Sequence, residues 1–113
     1  MLEKVNRINY LIDFYEQLLT KKQKNVMELY YKENLSLGEI AGQLDISRQA
    51  VYDILSRAIR SLEKWETKLR LLENHLLRKK EGQKILDLLA RPKLTPFDIE
   101  KIKEIIKRVL QDY

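Results

Sequence analysis

The sequence predicts an all-α protein: a helix-turn-helix domain without a wing, followed by a long C-terminal helical extension. Three observations predict this fold. The 113 residues include only three glycines and two prolines, which leaves little material for loops. Apolar residues recur at spacings of three and four, and no strand-like alternation bounded by turn residues occurs. Residues 35–52 have the pattern of two short helices joined by a tight turn.

The composition argues against several classes of protein. There is no cysteine, so disulfides and thiolate chemistry are excluded. No apolar run approaches the roughly 18 residues of a membrane helix, and the start lacks a signal-peptide pattern. The single histidine, His75, has no second histidine or cysteine with which to hold a metal. With no nucleophile–base pair and no glycine-rich phosphate loop, we expect a cytoplasmic, non-enzymatic protein without a cofactor and without membrane contact.

The first helix is predicted over residues 2–19, where one apolar face repeats every three or four positions. This face comprises Val5, Ile8, Ile12, Tyr15 and Leu19. Thr20, with Gln23 three residues later, forms a capping box, which predicts a second helix that ends near Asn34. The residues of this helix predicted to face the core are Val26, Met27, Leu29 and Tyr30.

The helix-turn-helix itself is predicted over about residues 36–57. Ser36 and Glu39 form another capping box at the start of its first helix. Residues 44–46 form the turn, and Ser47 caps the recognition helix that follows. Arg48 and Gln49 would then lie at the start of that helix, where such side chains can read guanine and adenine edges. The alternative is a scaffold in which both side chains are simply solvated.

A strict heptad runs on from the recognition helix. Its members are Val51, Leu55, Ala58, Leu62, Trp65, Leu69, Leu72 and Leu76. Without Pro or Gly before Gly82, it predicts one helix over residues 47–80, roughly 50 Å long, whereas a small domain is only about 30 Å across. We therefore predict a helix-turn-helix domain at residues 1–65 and a helical extension and dimerisation region at residues 66–113. The predicted homodimer seam consists of Leu62, Trp65, Leu69, Leu72 and Leu76.

The alternative to a dimer is that the first and last helices of the same chain cover this seam.

Gly82 is predicted to bend or end the long helix, and Pro92 breaks the short helix that follows it. Thr95 as the cap, Pro96 at the first helical position and Asp98 in the first turn predict a final amphipathic helix.

The net charge of +5 is unevenly distributed. Residues 1–34 hold six Lys/Arg and five Asp/Glu, residues 35–65 hold four of each, and residues 66–113 hold twelve and eight. DNA-binding domains usually concentrate positive charge around the recognition helix, because phosphate contacts supply much of the affinity. The excess here lies in residues 68–93 instead. A basic patch there could bind RNA phosphates or an acidic protein, or could be a solvated helix end: Arg78, Lys79, Lys80, Lys84, Arg91 and Lys93.

Residues 18–62 resemble region 4 of bacterial sigma factors. The resemblance rests on Leu29-Tyr30-Tyr31, Glu39-Ile40-Ala41 and the run from Ile46 to Val51. Sigma region 4 reads promoter DNA with the exposed start of its last helix. The residues on the corresponding surface here are Arg48, Gln49, Tyr52, Asp53, Ser56 and Arg57, of which Asp53 departs from what a DNA-facing surface prefers. We therefore take as candidate nucleic-acid-binding residues Ser47, Arg48, Gln49, Tyr52, Ser56 and Arg57.

The whole chain resembles the YlxM family, helix-turn-helix proteins of Gram-positive bacteria. The tyrosine-rich start, the Ser-Arg-Gln-Ala-Val-Tyr-Asp run at residues 47–53 and the leucine-rich helix carry this resemblance. Family members are typically encoded beside the protein component and the receptor of the signal recognition particle. The resemblance thus implies a regulatory, non-catalytic part in that pathway, with particle RNA or particle protein as partner. A sequence-specific transcription regulator that binds DNA is the alternative.

Overall fold

The computed structural model describes residues 2–112, and the side chains of residues 4–111. Within that range every regular element is helical, so the prediction of an all-α fold is confirmed. A 3₁₀ turn, Glu16–Leu18, follows the first helix, and a π-helical turn, Glu28–Lys32, extends the second. The α-helices are α1 (Leu2–Tyr15), α2 (Lys21–Met27), α3 (Leu37–Leu44), α4 (Arg48–Leu69), α5 (Leu71–Leu89) and α6 (Pro96–Asp112).

The chain divides into two compact units, Met1–Arg70 and Leu71–Tyr113. In the first unit, α4 packs against α1, α2 and α3. The first four heptad positions lie on the buried face of α4, and apolar residues of the other three helices complete the core. The fully buried members include Leu11, Ile12, Val26, Met27, Ile40, Val51, Ala58 and Leu62.

Tyr30 is a correction to the predicted core. Its side chain is 36% exposed, whereas Val26, Met27 and Leu29 are buried as predicted. Tyr30 lies in the π-helical turn, which changes the angular spacing of side chains on which the helical prediction depends. Its ring packs edge-on against Tyr31, with the ring centroids 5.0 Å apart.

The predicted helix starts are confirmed. The Thr20 N–H donates to Gln23 Oε1 (3.0 Å), and the Gln23 N–H donates to Thr20 Oγ1 (3.1 Å). Ser36 and Glu39 form the same reciprocal pair at 3.0 Å each. These bonds satisfy backbone donors that a helix N-terminus otherwise leaves unpaired. The bonds from Ser36 also lower the pKa of Glu39.

The prediction of one uninterrupted helix over residues 47–80 is wrong. Helix α4 ends at Leu69, because Arg70 adopts the left-handed conformation (φ 57°, ψ 32°) and its N–H donates to the Glu66 carbonyl (2.8 Å). At 22 residues, α4 is about 33 Å long. Gly82, where a bend or an end was predicted, lies inside α5.

The second unit pairs α5 with α6 through a short connection. Asp98 is almost completely buried, at 2% exposure, in the first turn of α6. It accepts hydrogen bonds from the Thr95 N–H (3.1 Å) and from Arg91 Nη1 (2.6 Å), and its own N–H donates to Thr95 Oγ1 (3.1 Å). The hydrogen bonds from Thr95, aided by the charge of Arg91, lower the pKa of Asp98. Thr95 and Pro96 thus open α6 as predicted.

No helix within residues 2–112 has the combination of length and apolar character that crossing a membrane requires.

Candidate functional site

The turn between α3 and α4 sets the position of the recognition helix. Asp45 ends α3 in the left-handed conformation (φ 56°, ψ 48°), and its N–H donates to the Ala41 carbonyl. The Ile46 N–H donates to the same carbonyl (3.1 Å). The Ser47 hydroxyl then accepts from the Ala50 N–H (3.0 Å) and opens α4. The predicted turn and cap of the helix-turn-helix are both confirmed.

All six candidate nucleic-acid-binding residues lie in the cap and first three turns of α4. Tyr52 is 55% exposed, and Ser56 is half-buried. The four others are exposed: Ser47, Arg48, Gln49 and Arg57. The opposite face of this segment is buried in the core, so the six lie around its accessible side, with Arg48 and Arg57 about 180° apart around the helix axis.

Arg48 lies against the first turn of α3. A Cβ built on Gly38 would lie 3.1 Å from Arg48 Nε and Nη2, so the guanidinium packs closely against Gly38 and would have to shift slightly to admit a larger residue. To reach a base edge, the side chain would first leave α3.

Gln49 is also engaged within the protein. Its Nε2 donates to Asp53 Oδ1 (3.0 Å), one turn further along α4. A carboxylate therefore stands in the middle of the candidate surface, where it opposes the approach of phosphate. The i, i+4 spacing of Gln49 and Asp53 is the signal in the sequence for this bond.

The basic patch predicted from the sequence divides into two groups. Arg78, Lys79 and Lys80 are exposed on α5, and none of them forms an ion pair within residues 2–112. Their charges are available to a partner. Lys93 is likewise exposed, in the connection between α5 and α6.

The remaining two members of the patch have structural partners. Lys84 Nζ lies 3.2 Å from Glu81 Oε1, and Arg91 Nη1 lies 2.6 Å from the buried carboxylate of Asp98. Arg91 thus holds the connection between α5 and α6 in place.

Glu81 is a buried carboxylate that the sequence analysis did not single out. It is 5% exposed, and its Oε2 has no hydrogen-bond partner in the part of the chain that is described. Arg108 Nη1 lies 4.0 Å from that oxygen. Beside it, a shallow groove of about 370 Å³ separates α5 from α6, lined by Lys84, Asp87, Leu88, Lys101, Glu104, Ile105 and Arg108.

The five residues of the predicted dimer seam differ in exposure. Leu62 and Leu72 are buried, at 0% and 1%, and Trp65 is half-buried. Leu69 and Leu76 are exposed, at 48% and 44%. Only these last two are clearly available to a second copy of the chain.

Among residues 2–112 there is no group of three or more side chains suited to hold a metal ion. The capped turn between α3 and α4 and the exposed start of α4 define the class of this protein: it is a helix-turn-helix protein.

Comparison with known proteins identifies its family. Residues 2–106 match the family described as "Putative helix-turn-helix protein, YlxM / p13 like". A UPF0122 protein of Bacillus mycoides (strain KBAB4) is 45% identical over 109 residues, which is 96% of this chain and 99% of the relative. UPF0122 proteins of Bacillus thuringiensis (strain Al Hakam) and Bacillus anthracis (strain A0248) are 44% identical over the same shares. The chain belongs to this YlxM / p13-like family, which confirms the family resemblance drawn from its sequence.

Proposed function

We propose that this chain is a non-catalytic regulatory protein that acts in the cytoplasm on the signal recognition particle pathway. Membership of the YlxM family supports the pathway, through the resemblance set out above. The main support for electrostatic binding to a partner is the run of three exposed cations on α5, Arg78, Lys79 and Lys80. They have no ion-pair partner among the residues described.

These cations are suited to an anionic partner. Three consecutive residues on a helix span about 200° of its circumference, so their side chains reach phosphates or carboxylates on either side of α5. Particle RNA offers phosphates and particle protein an acidic face, and both remain candidates. In either case the contact is electrostatic and weakens as salt rises.

A pull-down with purified particle protein and particle RNA tests this proposal. The variant R78E/K79E/K80E should lose the captured partner, because three attractive charges become repulsive. Three exposed lysines of the first unit provide a control with the same change in net charge: K4E/K21E/K22E. Equal capture by the wild type and the α5 variant would refute the proposed contact. Equal loss of capture in both variants would refute it too, because net charge and not these three residues would then account for binding.

A sequence-specific DNA-binding regulator is the second candidate function. The exposed start of α4 favours it, since helix-turn-helix proteins insert this segment into the major groove. Binding to promoter fragments should then fall steeply with salt and fail in R48A/Q49A. Background binding to a pool of genomic DNA at low salt would exclude this function.

We also propose a homodimer, as the heptad predicts; of the predicted seam residues, Leu69 in the first unit and Leu76 in the second are exposed. Because α4 ends at Leu69, the chain does not form the single long helix from which the dimer was predicted. Sedimentation at micromolar concentration should give twice the chain mass of 13.6 kDa, and L69E/L76E should give the single mass. Leu72 is unsuitable for this test, because a charge at that buried position would perturb folding. A wild-type monomer would exclude the dimer.

A further inference from the structure

A row of cations continues the exposed face of α4 beyond the candidate recognition residues. Arg57, Arg60, Lys64 and Lys68 are all exposed. Their spacings of three, four and four residues place them on one face of the helix. We name these four residues the α4 basic row. It extends about 16 Å along the helix axis.

The α4 basic row lies nearly opposite the buried face of the helix. That face carries Val51, Leu55, Ala58, Leu62 and Glu66. No member of the row forms an ion pair in the described part of the chain, whereas Glu63, on the flank of the helix, is bound by Arg7 at 2.7 Å. The segment of residues 35–65 is neutral by residue count, because it also holds four acids. Glu39 and Asp45 lie at the start and end of α3. Glu63 lies on the flank of α4, and Asp53, one turn before Arg57, is engaged by Gln49 Nε2 at 3.0 Å.

We infer that the α4 basic row binds the phosphate backbone of duplex DNA, next to the groove that the start of α4 enters. This inference rests on the second candidate function and is independent of the contact proposed for α5. It adds a phosphate-binding surface to a domain whose recognition residues supply little positive charge of their own.

The length of α4 supports this placement. The helix is about 33 Å long, whereas the major groove is about 12 Å wide. A straight helix that enters the groove with its first turns must therefore leave it, and its later turns then pass over the flanking phosphates. Because the row begins at Arg57, where the candidate recognition residues end, its cations lie on the part of α4 that would cross the backbone.

The chemistry of the face favours DNA over a protein partner. Between the cations stand Ser61 and Thr67, so the strip from Arg57 to Lys68 carries no apolar side chain. Protein interfaces are centred on aromatic and aliphatic anchors and are depleted in charge at their core. Protein–DNA interfaces are more polar and strongly positive.

The continuity of the row with the start of α4 favours DNA over duplex RNA. The major groove of A-form RNA is deep and narrow, and side chains cannot read it. A helix that uses both its first turns and its later turns against one duplex therefore needs the wider groove of B-form DNA.

Fluorescence anisotropy with a labelled DNA duplex of mixed sequence tests the inference, using the full chain. The variant R60Q/K64Q/K68Q removes three charges and keeps good helix formers on the exposed face. Each phosphate contact contributes about 0.9 to the slope of log K against log salt. Between roughly 50 and 200 mM salt, the wild type should therefore lose about 40-fold more affinity than the variant.

A second variant with the same charge change is the control. K4Q/K21Q/K22Q removes three exposed lysines that have no proposed binding role and should keep the wild-type salt slope. Equal slopes for the wild type and R60Q/K64Q/K68Q would overturn the α4 site, as would an equal decrease in both variants. An RNA duplex of the same sequence that competes better than the DNA would overturn the choice of ligand.

The outcomes also separate this inference from the functions proposed above. If the wild type does not bind duplex DNA at low salt, both the second candidate function and the α4 site are refuted. If it binds DNA and only the slope test fails, the α4 site alone is refuted. R60Q/K64Q/K68Q should capture particle RNA or protein as the wild type does, because the α5 cations remain.

Discussion

Replacing Tyr15 with Phe removes one buried hydrogen bond between α1 and α4 and leaves the packing of the ring in place. Tyr15 is 1% exposed, and its hydroxyl donates to Glu66 Oε1 at 2.6 Å. Glu66 itself is 6% exposed, so the carboxylate loses a donor where water is largely excluded. Hydrogen bonds to charged groups contribute about 1.5–3 kcal/mol, and we expect Y15F to lower the free energy of unfolding by about 2 kcal/mol.

Urea unfolding followed by fluorescence measures this change. Trp65, the single tryptophan, lies directly before Glu66 on α4 and reports on the first unit. With an m value of roughly 1–2 kcal/mol/M, the urea midpoint should fall by about 1–2 M. Y52F is the matched control, because Tyr52 is 55% exposed and should change stability by less than about 0.5 kcal/mol. A loss below about 0.5 kcal/mol in Y15F, or an equal loss in Y52F, would refute the stabilising role of this bond.

Three further predictions concern packing, helix propensity and pH. L62A should lose about 2–5 kcal/mol in chemical denaturation, because Leu62 is completely buried, whereas L110A, at a residue 79% exposed, should stay within about 0.5 kcal/mol. G42A should raise the melting temperature, because replacing Gly with Ala stabilises α3 by about 0.5–1 kcal/mol and a Cβ at residue 42 meets nothing within 4 Å. An unchanged or lower melting temperature would show that a Cβ is not accommodated there. The pKa of Asp98 is lowered in the folded state, so its contribution to stability is complete above the unfolded pKa and is lost as pH falls through the folded pKa. Acid titration by circular dichroism should show this loss in the wild type, and D98N should remove that part of the pH dependence; the same acid profile in both would exclude Asp98 as its source.

Local sequence signals predicted the helix starts correctly. Each capping box depends on two side chains three residues apart, and both boxes, at Thr20 and Ser36, form as the spacing indicates. Thr95 and Pro96 correctly indicated the start of α6 for the same reason. Interactions this short in sequence need no knowledge of the tertiary structure.

The helix end at Arg70 could not be predicted in this way. A left-handed residue is usually Gly or Asn, because other side chains pay about 1–2 kcal/mol there. Arg70 carries no such signal, and the heptad continues through it without a break in pattern. Gly82 shows the converse error, since a glycine inside a helix lowers its stability without ending it.

The candidate site was located by sequence, but its internal contacts were not. Helical spacing placed the recognition residues on the start of α4. The packing of Arg48 against Gly38 depends on how α3 crosses α4, which no local pattern determines. Tyr15 and Glu66 are 51 residues apart, and only the folded core brings them together. The α4 basic row was hidden for a related reason, because a residue count does not distinguish the faces of a helix.

We propose that this protein works by binding an anionic partner of the signal recognition particle pathway. Equilibrium titration of one purified sample against particle RNA, particle protein and random-sequence duplex DNA, at the same salt concentration, tests it most directly. We predict saturable binding to particle RNA or particle protein that is lost in R78E/K79E/K80E. Background signal with both particle components would contradict the claim, whatever the result with DNA.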